Sequence, residues 1–479
     1  MSLYKCCFYT RRLSLPLVQV LIRSQSTVDA RTDTFKVRPF KDIPGPKGLP
    51  YVGSVHRYMM DEGFDKIHKV HQKLFDEFGP IFKETLFGKT MVHVLGPVDT
   101  EKVFRSEGKY PQRGPLKSLI RACKEVGISG GIGISEGAEW KRYRQALSSK
   151  MLRPREMRDN IGNFYDVVDD ALKNIRQARG EGNSEGEVST LDEELAKWAT
   201  ESIGTLVFDA RIGLYEDPPR NEPLRFIKAV NDLFECLHNL EVGPEKMFFT
   251  KFNTPSFKKL CQAIDVIRAS AQIYMDVKRE ELKEDLNNPD KLLDGEVVPL
   301  LTYLLVKSDL TPEEINHAAL DMFAAGVDTT STAMLWALYA LAKNPEVQER
   351  LHQEIVSVIG KDGYLTARDL GKIPYTKAFL KESLRFDSIS FANSRILDQD
   401  IVLSGYNVPA GIQILSSIYA SSRTESYFKD PEEFKPERWL RETGDQFHPF
   451  SYLPFGFGLR MCIGNYRFGV FGVLHGISL

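Results

Sequence analysis

The most chemically specific spacing in the chain is Phe455-Gly456-Phe457-Gly458-Leu459-Arg460-Met461-Cys462-Ile463-Gly464. A cysteine that serves as a ligand must be held as a thiolate, which requires hydrogen-bond donors and positive charge around the sulfur. Gly456 and Gly458 permit a tight bulge, because glycine enters left-handed backbone conformations without steric cost, and the bulge is expected to turn backbone N–H groups toward the sulfur. Cys462 alone among the six cysteines sits in such a loop. The others show no paired spacing beyond the adjacent Cys6 and Cys7, so neither a disulfide framework nor a tetrahedral zinc pattern is expected, and a reducing compartment is the simpler setting.

A second group, Ala325-Gly326-Val327-Asp328-Thr329-Thr330, falls inside a long helical pattern. A glycine in a helix interior costs about 1 kcal/mol, and consecutive threonines add hydroxyls that compete for backbone carbonyls. A helix built only for packing would avoid this, although the same small residues also suit a close helix crossing. Glu382-Ser383-Leu384-Arg385 puts a carboxylate and a guanidinium three residues apart on one helix face. An exposed pair of this kind contributes only about 0–1 kcal/mol, so its meaning depends on its neighbours, among them Pro436-Glu437-Arg438-Trp439. Trp140 and Arg144 lie one helical turn apart, and arginine suits a carboxylate because its planar fork bonds both oxygens.

Taken in this order, with the cysteine loop matching FxxGxRxCxG at all five defined positions, these motifs make the sequence resemble the cytochrome P450 family over about residues 40 to 468. The resemblance implies a mainly α single-domain fold with a minor β sheet, holding haem b (iron protoporphyrin IX) between the long helix and the cysteine loop. It makes Cys462 the axial thiolate and iron ligand. Phe455, Gly456 and Gly464 shape the cofactor loop, and Arg460, Trp140, Arg144 and Arg395 become candidates for holding the propionates. Thr329 and Asp328 would deliver protons during oxygen activation, in a groove opened by disruption of the helix. Glu382, Arg385 and Arg438 would form a buried hydrogen-bonded cluster with a structural role. The implied activity is monooxygenation, the insertion of one atom of dioxygen into a lipophilic substrate.

Within the family the sequence is most similar to the mitochondrial class. Residues 1–35 resemble a transit peptide: Lys5, Arg11, Arg12 and Arg23 stand among serines and leucines, and no acidic residue precedes Asp29. Leu13 to Ile22 is about half the length needed to cross a bilayer. The class implies an adrenodoxin-type ferredoxin as electron donor, docked by Lys377 and Lys381, and a sterol, steroid or secosteroid-like substrate. Met247-Phe248-Phe249, with Phe252 and Phe257, is expected as an apolar patch resting peripherally on the inner mitochondrial membrane from the matrix side. The domain is expected over residues 36–479 with an incomplete C-terminal end, since seventeen residues follow Cys462 and Asn465-Tyr466-Arg467-Phe468-Gly469 departs from the family's pattern. Arg385 is also followed by Phe386-Asp387-Ser388, without the usual proline. The alternative expectation is therefore a truncated, non-catalytic haem- or lipid-binding isoform.

Several elements must position these residues. Asp42 to Pro50 alternates prolines and glycines and reads as a rigid lead-in. Thr85 to Leu95 suits a hairpin turning at Phe87-Gly88-Lys89-Thr90. Thr311-Pro312-Glu313-Glu314 predicts a capped helix start running to about Lys343, and Asn344-Pro345 a second one ending near Gly360. Tyr375 to Phe386 is predicted as a helix, Arg179 to Glu187 as a solvated loop, and Arg395 to Leu403 and Asn407 to Leu415 as strands. With 63 basic and 65 acidic residues the chain has no global field suited to a polyanion, so nucleic acid is not an expected partner.

Overall fold

A computed structural model of the chain describes residues 37–153, 161–181, 187–284, 298–360, 363–443 and 446–465. The expected leader and the tail beyond Asn465 lie outside them. Its first half carries α1 (Val55–Met60), α2 (Ile67–Phe78), β1 (Ile81–Leu86), β2 (Lys89–Val94), α3 (Pro97–Arg105), α4 (Lys117–Glu125), α5 (Gly137–Met151), α6 (Tyr165–Glu181), α7 (Leu191–Phe208) and α8 (Asn221–Glu241). Then follow α9 (Pro255–Leu282), α10 (Leu300–Lys307), α11 (Pro312–Lys343), α12 (Pro345–Ile359), α13 (Pro374–Phe386), β3 (Ala392–Ile396), β4 (Ile401–Leu403), β5 (Tyr406–Val408), β6 (Gln413–Ser417) and α14 (Ile418–Ser422). Helices dominate. One sheet runs β1-β2-β6-β3 and a second ladder pairs β4 with β5.

Local chemistry accounts for the main boundaries. The β1–β2 hairpin closes on Phe87 and Gly88, both at positive φ (50° and 78°), the two-residue turn whose twist matches paired strands. At the start of α11, Thr311 Oγ1 accepts from the Glu314 N–H at 3.2 Å while the Glu314 carboxylate accepts from the Thr311 N–H at 2.8 Å, a complete capping box ahead of Pro312. Asn344 was the predicted side-chain cap of α12, but its amide donates to the Ala340 carbonyl at 2.8 Å and so finishes α11; Pro345 alone opens α12. Two other expectations are corrected. Helix α6 runs through Arg179 to Glu181, into the stretch read as loop, and residues 182–186 lie outside the described ones. The two predicted strands after α13 divide into four, because turns at 397–400 and 409–412 break each stretch.

The main core surrounds α7, which is buried along most of its length. It packs against α11. Phe323 of α11 stacks on Phe226 with ring centroids 4.0 Å apart and meets Phe208 edge-on at 5.0 Å. Among the described residues no helix is long and apolar enough to cross a membrane.

Candidate active site

The cysteine loop is stiffened before it reaches the sulfur. Gly456 (φ 70°) and Gly458 (φ 76°) take left-handed conformations, and the Cys462 N–H donates to the Phe455 carbonyl at 2.8 Å. A Cβ on Gly458 would stand 2.7 Å from Glu107 Oε2, so only glycine lets the loop lie against that carboxylate. The expectation that the bulge glycines aim their N–H groups at the sulfur is corrected: the Gly456 N–H goes to Leu453, and the backbone donors to Cys462 are Gly464 and Asn465, just past the cysteine. Burial pushes the Cys462 thiol up, while those two N–H groups, Arg144 and Arg113 pull it back toward the thiolate. Cys462 is nevertheless exposed.

Four arginines gather around the cysteine loop. Arg113 acts on the charge of Arg144, Arg395 and Arg460, Arg460 also senses Arg144 and Arg395, and the acids within their group are Glu107, Glu136 and Asp321. Arg460 is 7% exposed; its Nε donates to the Pro111 carbonyl at 2.8 Å, Nη2 pairs with Glu136, and Nη1 is buried with no hydrogen-bond partner among the described residues. Burial and Arg113 push its pKa down to about 10. Trp140 is buried beneath it, and the indole supports the guanidinium plane. Arg395 is engaged by the protein itself, pairing with Glu107 and donating to the Ser394 carbonyl at 2.8 Å and the Phe457 carbonyl at 3.1 Å. Here it braces the cysteine loop. Arg113, Glu107 and Glu136 carry no local sequence signal; Arg113 is placed when its carbonyl accepts from Ser394 Oγ of β3 at 2.6 Å.

On α11, Asp321, Ala325 and Thr329 are spaced four residues apart and share one face. Ala325 and Thr329 are exposed in the middle of the helix, and Arg113 lies within electrostatic reach of both Asp321 and Cys462. The helix runs through this region without a break, which corrects the expected backbone disruption. Gly326 serves the crossing with α7, since a Cβ there would lie 2.7 Å from Ile203 Cδ1. Thr329 Oγ1 donates to the Ala325 carbonyl at 2.8 Å, and burial raises the Asp328 carboxyl.

Glu382, Arg385 and Arg438 meet in the interior, at 0%, 0% and 3% exposure. Glu382 accepts from Arg385 at 2.8 and 2.9 Å, from Arg438 Nε at 3.1 Å, from the Trp439 indole at 2.9 Å and from the Lys435 N–H at 2.8 Å. The remaining arginine donors reach carbonyls of Ser422, Lys429, Pro431 and Glu433. Every charge is compensated, as burial demands. The aromatic patch divides: Met247, Phe248 and Phe252 are exposed by 40%, 50% and 64%, but Phe249 and Phe257 belong to the core, where large rings gain most by burial. Among the described residues one further group has metal-ligand chemistry, the buried His71, Glu84 and His93. There Tyr58 and Ser54 already donate to Glu84, at 2.8 and 3.1 Å.

These features fit a haem held by a thiolate: an exposed cysteine with two backbone N–H donors to its sulfur, guanidiniums gathered around it, and one buried Arg460 donor with no acceptor among the described residues. The family model for cytochrome P450 matches residues 43–467. Cytochrome P450 10 of Lymnaea stagnalis is 35% identical over 441 residues, covering 90% of this chain and 78% of the relative. The mitochondrial 1,25-dihydroxyvitamin D(3) 24-hydroxylase of Mus musculus is 31% identical over 430 residues, 90% of this chain and 81% of its own. The mitochondrial cholesterol side-chain cleavage enzyme of Mesocricetus auratus is 31% identical over 442 residues, 91% and 82% of the two chains. With a family match along most of its length, the chain belongs to the cytochrome P450 family and is a monooxygenase of that family.

Proposed function

We propose that this chain is a mitochondrial haem-thiolate monooxygenase that hydroxylates a sterol, steroid or secosteroid-like substrate with two electrons from an adrenodoxin-type ferredoxin. One oxygen atom of dioxygen enters the substrate and the other leaves as water, which consumes two protons. The observation that carries this reading is Cys462, exposed and faced by the Gly464 and Asn465 N–H groups and by Arg144 and Arg113. When bound, haem supplies dioxygen binding and the oxidising power to attack an unactivated C–H bond.

The chain's own residues do the rest. The N–H groups and guanidiniums stabilise negative charge on Cys462, and Arg460 Nη1 and Arg144 would hold the propionates. Thr329 Oγ1, anchored by its bond to Ala325, keeps lone pairs that can accept a proton in transit. Asp328, its carboxyl raised by burial, is suited to give one up. The relatives' names support the mitochondrial setting and the substrate class. Met247, Phe248 and Phe252 support peripheral contact with the inner membrane from the matrix side.

The test is the absorption spectrum of the reduced, carbon monoxide-bound protein. The wild type is expected to give the thiolate-ligated band; Cys462→Ala is expected to lose it, while Cys123→Ala, Cys236→Ala and Cys261→Ala retain it. A thiolate band in the Cys462 variant would overturn the assignment.

A further inference from the structure

The carboxylate of Asp321 is not free to act on its own. It accepts from the Gly133 N–H at 2.8 Å, and the Ile132 N–H also bonds it, both in the loop that joins α4 to α5. The loop's glycines exist for this approach. Gly131 sits at φ 128°, and a Cβ there would lie 2.5 Å from Asp321 Oδ2; a Cβ on Gly130 would lie 2.6 Å from the Tyr143 hydroxyl. Bare backbone can therefore lie flat on α11 and α5 where any side chain would hold it off. Arg113, Tyr143 of α5 and Cys123 of α4 are the charged or titratable groups that sense Asp321. Burial raises the carboxyl to about 6, against the two N–H donors and Arg113, so an apolar residue would sit here at less cost if packing were the only need.

Position gives the carboxylate its meaning. Asp321 stands one turn before Ala325 and two before Thr329 on the same face of α11, and the loop it holds leads into Glu136, which pairs with Arg460 two residues before Cys462. We propose that Asp321 is a positioning residue whose carboxylate clasps the Ser129–Ser135 loop onto α11, so that this clasp sets how fast a molecule enters and leaves the space in front of Cys462. The proposal rests on the reading of that space as the haem and substrate site. It assigns Asp321 no proton transfer.

The experiment compares wild type, Asp321→Asn and Asp321→Ala in the full chain by two readouts. The first is hydrogen exchange at the Ile132 and Gly133 amides, which needs no haem. The second is stopped-flow binding and release of phenylimidazole, followed in the haem spectrum of the holoenzyme. Losing a hydrogen bond to a charged acceptor should speed exchange at these amides by about tenfold or more in Asp321→Ala, with faster phenylimidazole release. Asp321→Asn keeps the shape and one acceptor oxygen, so it should fall between, and it decides the question if the alanine variant fails to fold. Unchanged exchange at both amides would overturn the clasp. Faster exchange with unchanged phenylimidazole kinetics would overturn its gating role. A chain that took up no haem would sink the monooxygenase reading instead, and the exchange result would still decide the clasp.

Discussion

The Arg460 guanidinium carbon lies 3.9 Å from the centre of the Trp140 ring, so the cysteine loop and α5 are joined by a cation stacked on an indole. The stack fixes the plane of the fork whose Nη1 has no acceptor among the described residues. Arg460→Ala should lower the haem retained per chain after gel filtration, read from the ratio of haem to protein absorbance. Arg460→Lys should not restore it, because an ammonium neither stacks nor presents a planar fork. Wild-type retention in Arg460→Ala would count against a propionate role.

Thr329→Ala removes the hydroxyl anchored to Ala325 while leaving the helix intact. Reductant consumption should continue while product per electron falls and hydrogen peroxide rises, since proton delivery is no longer timed to oxygen activation. Thr329→Ser should keep most of the coupling. Equal coupling in the alanine variant would remove Thr329 from the mechanism.

Glu382→Ala would leave Arg385 and Arg438 buried without their shared carboxylate. Breaking a buried ion pair on one side costs about 3–5 kcal/mol, a large share of a typical stability of about 5–15 kcal/mol. The urea midpoint should drop sharply whether or not haem is bound. Glu382→Gln, which keeps one acceptor oxygen, should lose less. A midpoint within error of wild type would show that the carbonyls around the two arginines suffice.

Lys377 and Lys381 are exposed one turn apart on α13, and Lys381 Nζ lies 5.7 Å from the Trp439 ring. Burial and then its neighbour Lys381 lower the pKa of Lys377. If an acidic ferredoxin docks here, Lys377→Glu with Lys381→Glu should slow ferredoxin-supported reduction by about tenfold at low salt, and by less near 1 M, where screening falls to about 3 Å. Reduction by dithionite should be unaffected. Equal ferredoxin rates would move the docking surface elsewhere.

Acid should destabilise the N-terminal sheet region first. His71 is buried against Tyr58 and Glu84, and burial followed by the charge on His93 lowers its pKa below the ordinary 6.5. The unfolded chain then binds more protons than the folded one as pH falls below about 6.5, so stability drops with acidification. Glu84 adds to the loss lower down: burial would raise it, but His93 and His71 more than offset this and hold it well below the usual carboxylate range. The melting temperature should fall between pH 7 and pH 5, and His71→Gln should flatten that limb. A His71→Gln curve parallel to wild type would refute the assignment.

What the sequence determined by itself were the features whose causes act within a few residues. The capping box at Thr311 and Glu314, the hairpin turn that Gly88 permits and the glycine-rich loop ahead of Cys462 follow from φ preferences and local donors. The order of those motifs was enough to point to the fold and the thiolate. Tertiary structure decided which charges meet. Arg113 had no motif to mark it, Arg395 turned to Glu107, the donors to the sulfur came from Gly464 and Asn465, and Asp321 found its partners in Ile132 and Gly133 almost two hundred residues away. Gly326 answers to Ile203, a contact that exists only because α7 crosses α11 there. Spacing along the chain constrains only neighbours within about one turn, whereas a buried charge must find its compensation wherever packing brings a partner, and packing is a property of the whole fold.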